Sequence, residues 1–227
     1  MTVRLLGLDC SPREQSNSGL LVTRSLERLV ETYPDEVETE VVHLRERHIE
    51  SCRYCDVCGK TKDGRFVPCI QARKDEVQAV LDAMVAADGI VVATPVYFGL
   101  PSDLFTTFVM RTRVLRHQDF KLANTVTGVM AIAARRSGGA ETTILSAWLP
   151  LIRNGCLIVG NGDATSQFGA YGWAGPRGHI LSDEWGMEQG FQVADRVFTV
   201  AKLIKAGTDA LGFSNPMTFS YSSGTRA

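Results

Sequence analysis

The run VRLLGL at residues 3–8, followed directly by DCSPREQSNS at residues 9–18, decides the fold of this chain. A continuous apolar run that is closed by polar and turn residues is typical of a strand buried on both faces of a parallel sheet. Asn17 and Ser18 can cap a helix, and apolar residues recur at helical spacing from there until Pro34. The stretch therefore predicts a strand, a polar loop and a helix in succession.

The same alternation continues along the chain. The predicted strands are Val3–Leu8, Val37–Leu44, Ile90–Thr94, Val126–Ala133 and Cys156–Gly160. Helices are predicted from Asn17, over Lys74–Ala87, after Pro101, from Glu141 and over about Met187–Lys205. Five strands alternating with helices predict an α/β domain over residues 1–206, with a doubly wound parallel sheet and right-handed crossovers.

Two segments interrupt this alternation. Arg45–Arg73 is rich in cysteine, and Asn161–Asp183 is rich in glycine and aromatic residues. Stretches beyond ~15 residues without regular structure are usually functional, so we expect the second segment either to cover a ligand or to pack against a neighbouring subunit. The tail at residues 207–227 is rich in Ser and Thr, and we expect it to be disordered or to cross to a partner subunit.

Charge and hydropathy exclude several classes of partner. The 227 residues include 24 Lys plus Arg against 25 Asp plus Glu, so there is no basic excess that would attract nucleic acid or an anionic membrane. The longest apolar runs, such as 89–96, are far shorter than the ~18 to 20 residues of a membrane span. The amino-terminal residues lead straight into a strand, so the predicted location is the cytoplasm.

The loop at Ser11–Ser18 is the first candidate site. Backbone N–H groups at a helix start, the helix dipole and short hydroxyl side chains together bind phosphate monoesters, and Arg13 adds a charge-assisted contact. The alternative is an ordinary capped turn. Neither the glycine fingerprint of dinucleotide sites nor the phosphate loop of nucleotide triphosphatases occurs in the sequence.

Two further loops follow strands at the same predicted edge. Thr94–Gly99 is a proline-fixed turn with aromatic residues, which suits a flat ring laid against backbone amides, or simple core packing. Ala133–Gly139 combines two arginines with two glycines that permit close backbone approach. Ligands in such folds bind at the carboxyl edge of the sheet, so three such loops together predict one binding site.

These motifs, with Ala87–Val91 and Gly138–Thr143, resemble the flavodoxin-like NAD(P)H-dependent FMN reductases, and within them the iron–sulfur flavoproteins. The resemblance covers about residues 3–206 and implies the strand order 2-1-3-4-5 and a bound FMN. By match of position, the FMN phosphate would contact Ser11, Arg13, Ser16, Asn17 and Ser18. The isoalloxazine ring would contact Pro95, Val96, Tyr97, Phe98, Gly99, Ser137, Gly138 and Gly139.

Four of the six cysteines lie in one short segment and are candidate metal ligands. They are Cys52, Cys55, Cys58 and Cys69, separated by two, two and ten residues. Four thiolates in one loop can ligate a [4Fe–4S] cluster or a zinc ion, or remain unligated, and the resemblance implies the cluster. Cys10 and Cys156 are expected to be packed core thiols, and the four histidines, which lack metal-ligand spacing, to serve surface or packing roles.

The resulting functional prediction is an FMN-dependent oxidoreductase. The resemblance implies electron flow from NAD(P)H or a reduced carrier to a small acceptor such as a quinone, through the cluster if it is present. The alternatives are a ferredoxin-linked electron carrier without NAD(P)H activity and a non-enzymatic flavin-binding protein. The two long irregular segments also predict a homodimer or homotetramer, which the resemblance implies as well.

Overall fold

The computed structural model describes residues 1–59, 67–162, 164–165 and 167–212. Its strands are β1 (Val3–Asp9), β2 (Val37–His43), β3 (Gly89–Pro95), β4 (Val126–Ala133), β5 (Leu157–Ile158) and β6 (Ala170–Trp173). Its helices are α1 (Asn17–Thr32), α2 (Val77–Ala86), α3 (Asp103–Arg111), α4 (Arg113–His117), α5 (Ala140–Arg153) and α6 (Glu184–Leu211). Short 3₁₀ turns occupy parts of the cysteine-rich segment, at Leu44–Glu46, Val57–Gly59 and Ile70–Arg73.

The sheet order β2-β1-β3-β4-β5, with every pairing parallel, confirms the predicted order 2-1-3-4-5. One strand was not predicted. β6 lies in the glycine-rich segment and pairs in parallel with Met130–Ala133 of β4, beyond the two residues that β5 covers. Gly172 allows this pairing, because a Cβ at that position would lie within 3.0 Å of Ile132 and Ile180 side chains.

Helices cover both faces of the sheet, as expected for strands without a polar face. Apolar residues of α1 and α6, such as Leu26 and Val197, pack on one face. Residues of α2, α3 and α5, such as Leu81, Phe105 and Ile144, pack on the other. All eight residues of β4 are buried, which agrees with its uninterrupted apolar sequence. The apolar clusters on the two faces leave the carboxyl edge of the sheet uncovered, and the loops lie there.

The boundaries of two elements differ from the sequence prediction. β5 is only two residues long, shorter than the predicted Cys156–Gly160, although the Val159 N–H still donates to the Thr127 carbonyl of β4 at 3.0 Å. α6 starts earlier than predicted, because the Asp183 side chain caps it by accepting a hydrogen bond from the Gly186 N–H, and it also ends later. The helix continues to Leu211, so the predicted tail begins inside it, and residues 213–227 lie outside the described part of the chain.

No helix within the described residues is both long enough and apolar enough to cross a membrane.

Candidate functional site

The loop after β1 lines a cavity at the carboxyl edge of the sheet. All five residues predicted to contact a phosphate line it: Ser11, Arg13, Ser16, Asn17 and Ser18. Pro95, Val96 and Tyr97 at the end of β3 line it as well, together with Gly175 and Arg177 from the glycine-rich segment. The structure thus brings the predicted phosphate residues together with part of the predicted ring site, and it adds Arg177.

A buried aspartate organises this loop. Asp9, at the end of β1, is fully buried and accepts hydrogen bonds from the Ser11 N–H at 3.1 Å and the Ser18 hydroxyl at 3.2 Å. The Ser16 hydroxyl lies 3.4 Å from the same carboxylate and also accepts the Gly19 N–H, so Ser16 is the N-cap of α1. The capped turn and the candidate phosphate loop are therefore one structure, whose serine hydroxyls largely hold its shape.

The carboxylate of Asp9 has two further partners, one on β2 and one in the turn that follows it. Nδ1 of His43 and Nη1 of Arg45 each lie 2.9 Å from Oδ2 of Asp9. His43 was expected in a surface or packing role, and that prediction missed this contact. Asp9 and His43 are register partners at the ends of adjacent strands, so the sequence contained the signal once the strand order was applied.

The Asn17 side chain forms hydrogen bonds with the backbone of the glycine-rich segment. Its amide donates to the Pro176 carbonyl at 2.9 Å, and its Oδ1 accepts from the Ile180 N–H at 3.3 Å. These contacts tie the start of α1 to the glycine-rich segment and hold Gly175 and Arg177 beside the cavity. That segment therefore contributes directly to the candidate site.

The residues predicted to hold the isoalloxazine ring do not all line the same cavity. Phe98, with φ of 54°, is fully exposed in the turn between Tyr97 and Leu100. Gly139, with φ of 95°, packs so closely that a Cβ there would lie 3.0 Å from Cα of Gly99. The two predicted ring loops therefore touch, although Phe98 and Gly99 do not line the first cavity.

A second cleft opens on the other side of the loop that follows β4. Its volume is about 690 Å³, and Ser137, Gly138 and Gly139 line it together with aromatic and charged side chains. The aromatic and cationic members are Tyr171, Trp173, Trp185, Arg135 and Arg136. Ile132 and Ala134 line the first cavity while Ala133 and Arg135 line this cleft, so the end of β4 separates the two.

The four clustered cysteines line one small cavity. Cys52, Cys55, Cys58 and Cys69 surround it with residues from the end of α3 and the start of α4. Within the described residues, no group of three or more His, Cys, Asp or Glu side chains is arranged so that it could hold a metal ion. The four predicted ligands nevertheless share one cavity, including Cys69 across the long spacing.

Two arginines contact these thiols. Nη1 of Arg113 donates to Sγ of Cys58 at 2.9 Å, and Nη2 of Arg111 donates to Sγ of Cys69 at 3.5 Å. Burial raises the pKa of the Cys58 thiol, and the adjacent Arg113 offsets only part of that shift. Neither arginine was singled out from the sequence, because both lie some forty or more residues after the thiols that they contact.

The remaining two cysteines are core thiols, as predicted. Cys10 is fully buried, and its burial together with the charge of Asp9 raises its pKa well above the ordinary value. Burial raises the pKa of Cys156 to about 11. Both thiols are thus protonated at neutral pH and do not belong to the cysteine cavity.

The parallel order 2-1-3-4-5, with helices on both faces, defines a flavodoxin-like protein. Solved structures share this fold. RosB with bound 8-demethyl-8-formylriboflavin-5′-phosphate aligns over 100% of this chain and 93% of its own, with a TM-score of 0.64 and 19% identity. A flavodoxin, WrbA-like protein from Agrobacterium tumefaciens aligns over 88% of this chain and 99% of its own, with a TM-score of 0.55 and 16% identity.

Residues 3–165 match the family model of NADPH-dependent FMN reductases, and the chain belongs to this family. Among its curated relatives, an iron–sulfur flavoprotein of Methanocaldococcus jannaschii is 34% identical over 89% of this chain and 100% of the relative. An iron–sulfur flavoprotein of Methanosarcina thermophila is 30% identical over 91% of this chain and 100% of the relative.

Proposed function

We propose that this chain is an FMN-dependent oxidoreductase that passes electrons from NAD(P)H or a reduced carrier to a small acceptor such as a quinone. A [4Fe–4S] cluster on Cys52, Cys55, Cys58 and Cys69 serves as a one-electron relay. One observation carries the proposal. This member of the family has a cationic cavity at a helix start and a second cavity lined by four thiols.

The residues of the first cavity fit FMN. The start of the 16-residue helix α1 presents backbone N–H groups and the positive end of its dipole, which favour a phosphate. Arg13 and Arg177 add positive charge, and Pro95–Tyr97 supply the apolar wall along which the rest of the cofactor would lie. FMN, when bound, supplies the hydride and one-electron chemistry, while the protein binds and orients it.

The cluster is supported by the donor set of the second cavity, because all four thiols line it and Arg111 and Arg113 donate hydrogen bonds to two of them. Each cysteine of a four-iron cluster binds a different iron, so the sulfurs need not converge on one point as they do around zinc. The nine-residue helix α3, about 14 Å long, begins just after the predicted ring loop Pro95–Gly99 and ends at this cavity. One short helix therefore joins the two proposed cofactor sites.

Anaerobic purification tests the proposal. We expect the protein to be coloured, to contain FMN with iron and acid-labile sulfide, and to oxidise NADPH when a quinone is present. Colourless protein that gains no absorbance on addition of FMN would contradict the flavin site. Flavin without iron would remove the cluster from the proposal and leave the reductase.

A ferredoxin-linked carrier without NAD(P)H activity is the second candidate. It is favoured by the exposure of the cysteine segment, in which Cys55 is exposed and Tyr54 retains 75% of its surface, so a protein partner could approach closely. Reduction by ferredoxin with no NAD(P)H oxidation would select this candidate. A flavin-binding protein without enzymatic activity would show neither reaction.

We also propose a homodimer or homotetramer located in the cytoplasm. Leu145, Leu149 and Ile152 form an exposed apolar stripe along α5, at helical spacing that suits a helix–helix contact with another copy. All six cysteines are free, and a reducing compartment would keep the four clustered thiols available for ligation.

A further inference from the structure

Arg113 connects the cysteine segment to the helical layer. Nη1 of its guanidinium donates to Sγ of Cys58 at 2.9 Å, while Nη2 donates to Oδ1 of Asp56 at 2.7 Å. The guanidinium also lies 5.0 Å from the centre of the Tyr54 ring. The Arg113 side chain retains only 21% of its exposure, whereas that of its ion-pair partner Asp56 retains 52%. Water therefore screens the carboxylate of Asp56 more than the guanidinium of Arg113, which leaves positive charge acting on Cys58.

Arg111 makes the equivalent contact from inside the protein. Its side chain and that of Asp75 are both fully buried and form an ion pair, and Arg111 also donates to the Glu50 carbonyl at 2.7 Å. Its Nη2 reaches Sγ of Cys69. Asp75 balances the charge of Arg111, so the contribution of Arg111 at Cys69 is mainly an oriented N–H group.

The break between α3 and α4 brings the two arginines together. Residues two apart on a regular helix point to different sides. Here α3 ends at Arg111, Thr112 caps it, and α4 begins at Arg113, and both arginines line the cysteine cavity. The Thr112 hydroxyl is fixed because it donates to the Val109 carbonyl at 2.7 Å and accepts from the Asn154 amide at 2.9 Å.

We propose that Arg113, with support from Arg111, raises the reduction potential of the cluster held by Cys52, Cys55, Cys58 and Cys69. This inference rests on the cluster of the proposed function. Reduction adds one electron to the cluster, breaks no bond and moves no proton, and the electron comes from a donor of the flavin or ferredoxin class. N–H groups and positive charge at the ligating sulfurs stabilise that added negative charge, so they favour the reduced form.

The test is a redox titration of the full chain, purified anaerobically and reduced by dithionite with mediators, followed by the EPR signal of the reduced cluster. Arg113→Gln removes the charge, and we expect at least a tenfold shift of the redox equilibrium towards the oxidised form, about 59 mV for a one-electron couple. Arg113→Lys keeps the charge but cannot bridge Cys58 and Asp56, so we expect a smaller shift in the same direction.

Arg116→Gln is the matched control. Arg116 lies on the same helix, but its Nε donates to the Arg153 carbonyl at 2.8 Å and its guanidinium faces the Phe120 ring. Removal of this charge should change the potential by a small fraction of the Arg113→Gln shift. Arg111 is left intact because its replacement would strand the buried Asp75 carboxylate.

Iron and sulfide content, measured on every variant, separates the outcomes. Wild-type protein without iron overturns the cluster and this role with it. Variants that keep their iron and titrate at the wild-type potential overturn the role of Arg113 alone, and leave the cluster in place. Loss of iron from both Arg113 variants would also overturn it, because the arginine would then be needed to hold the cluster and not to set its potential.

Discussion

Nδ1 of His43 lies 2.9 Å from the carboxylate of Asp9, directly across the ends of the adjacent strands β1 and β2. Arg45 reaches the same oxygen at the same distance. A buried carboxylate beside a phosphate site would repel the ligand unless its charge were balanced. We infer that Arg45 balances this charge while His43 adds a contact to the carboxylate, so that Asp9 can orient Ser16 and Ser18 beside the proposed anion site.

Replacement of Arg45 by Met tests this balance. The side chain of Arg45 is only 16% exposed, so its loss leaves the charge of Asp9 less compensated and the loop less ordered. We expect the Kd for FMN to rise about tenfold or more, ~1.4 kcal/mol, while riboflavin binding changes little because riboflavin carries no phosphate. Flavin fluorescence quenching measures both affinities.

The control for this prediction is Arg47→Met. Arg47 pairs at 3.5 Å with Glu76 in an ion pair whose side chains are 42% and 49% exposed, so its replacement should leave the FMN affinity unchanged. Equal weakening of FMN by both variants would mean that Arg45 acts only through net charge.

Arg13 is expected to contact the FMN phosphate directly. It lines the cavity at the start of α1, and its replacement by Ala removes a charge-assisted hydrogen bond of roughly 1.5 to 3 kcal/mol. We expect weaker FMN binding by that amount and a much smaller effect on riboflavin. Calorimetric titration with the two flavins checks this, and equal losses for both would refute the assignment.

Much of the fold could be predicted because the sheet is buried on both faces. Runs such as Val126–Ala133 can hardly be anything but central strands, and all eight of those residues are buried. β6 could not be predicted, because AYGW is short and lies between glycines, and its pairing depends on contact with β4. Such a tertiary contact cannot be predicted from the local sequence.

The candidate site was predicted less completely than the fold. The loops were found because hydroxyl, glycine and proline residues at strand ends are local signals. His43 and Arg113 were missed because each acts through a partner distant in sequence, which is Asp9 for His43 and Cys58 for Arg113. A charged residue at a strand end becomes informative only when the neighbouring strand is known.

The exposed stripe on α5 predicts how copies associate. Leu149, which retains 66% of its surface, lies at the centre of this stripe, so Leu149→Glu should shift the protein towards monomer. Leu203→Glu is a matched control, because Leu203 is equally exposed but lies on α6, on the other face of the sheet. Light scattering at micromolar concentration measures the assembly, and a monomeric wild type would contradict the prediction.

The buried pair of Asp75 and Arg111 should make a large contribution to stability. Replacement of Asp75 by Asn leaves the guanidinium of Arg111 uncompensated, and we expect a loss of about 3 to 5 kcal/mol in the free energy of unfolding. Glu38→Gln is the control, because Glu38 and Arg4 form an ion pair in which both side chains are 65% exposed. Denaturant unfolding at neutral pH measures both effects.

The same pair also predicts a dependence on pH. Burial is the largest single influence on Asp75 and raises its pKa. The hydrogen bond from Arg111, the hydrogen bonds from the Glu50 and Val77 N–H groups and the charge of Arg111 together outweigh burial, and they lower the pKa of Asp75 below its ordinary 3.8. This contribution is therefore complete above that value and is lost as the pH falls through the lower pKa of the folded state. The stability difference between wild type and Asp75→Asn should shrink in that acidic range, and a constant difference would contradict the assignment.

The cysteine cavity gives the sharpest test of the proposed cofactors. If Cys55 ligates the cluster, Cys55→Ser should abolish the iron and acid-labile sulfide of anaerobically purified protein. FMN should stay bound, because its loops follow β1, β3 and β4 and do not include this segment. The ten-residue gap before Cys69 does not prevent ligation, since closing it costs only ~0.6 kcal/mol more than closing a gap of half that length.

Cys156→Ser is the control that separates ligation from a general loss of thiols. Cys156 is a buried core thiol outside the cavity, so this variant should keep full iron, sulfide and FMN. Iron that survives in Cys55→Ser, or is absent from the wild type, would rule out the cluster and leave residues 52–69 as a structural or zinc-binding loop. Loss of iron together with FMN would instead show that the two cofactors depend on one another, because no shared ligand explains a joint loss.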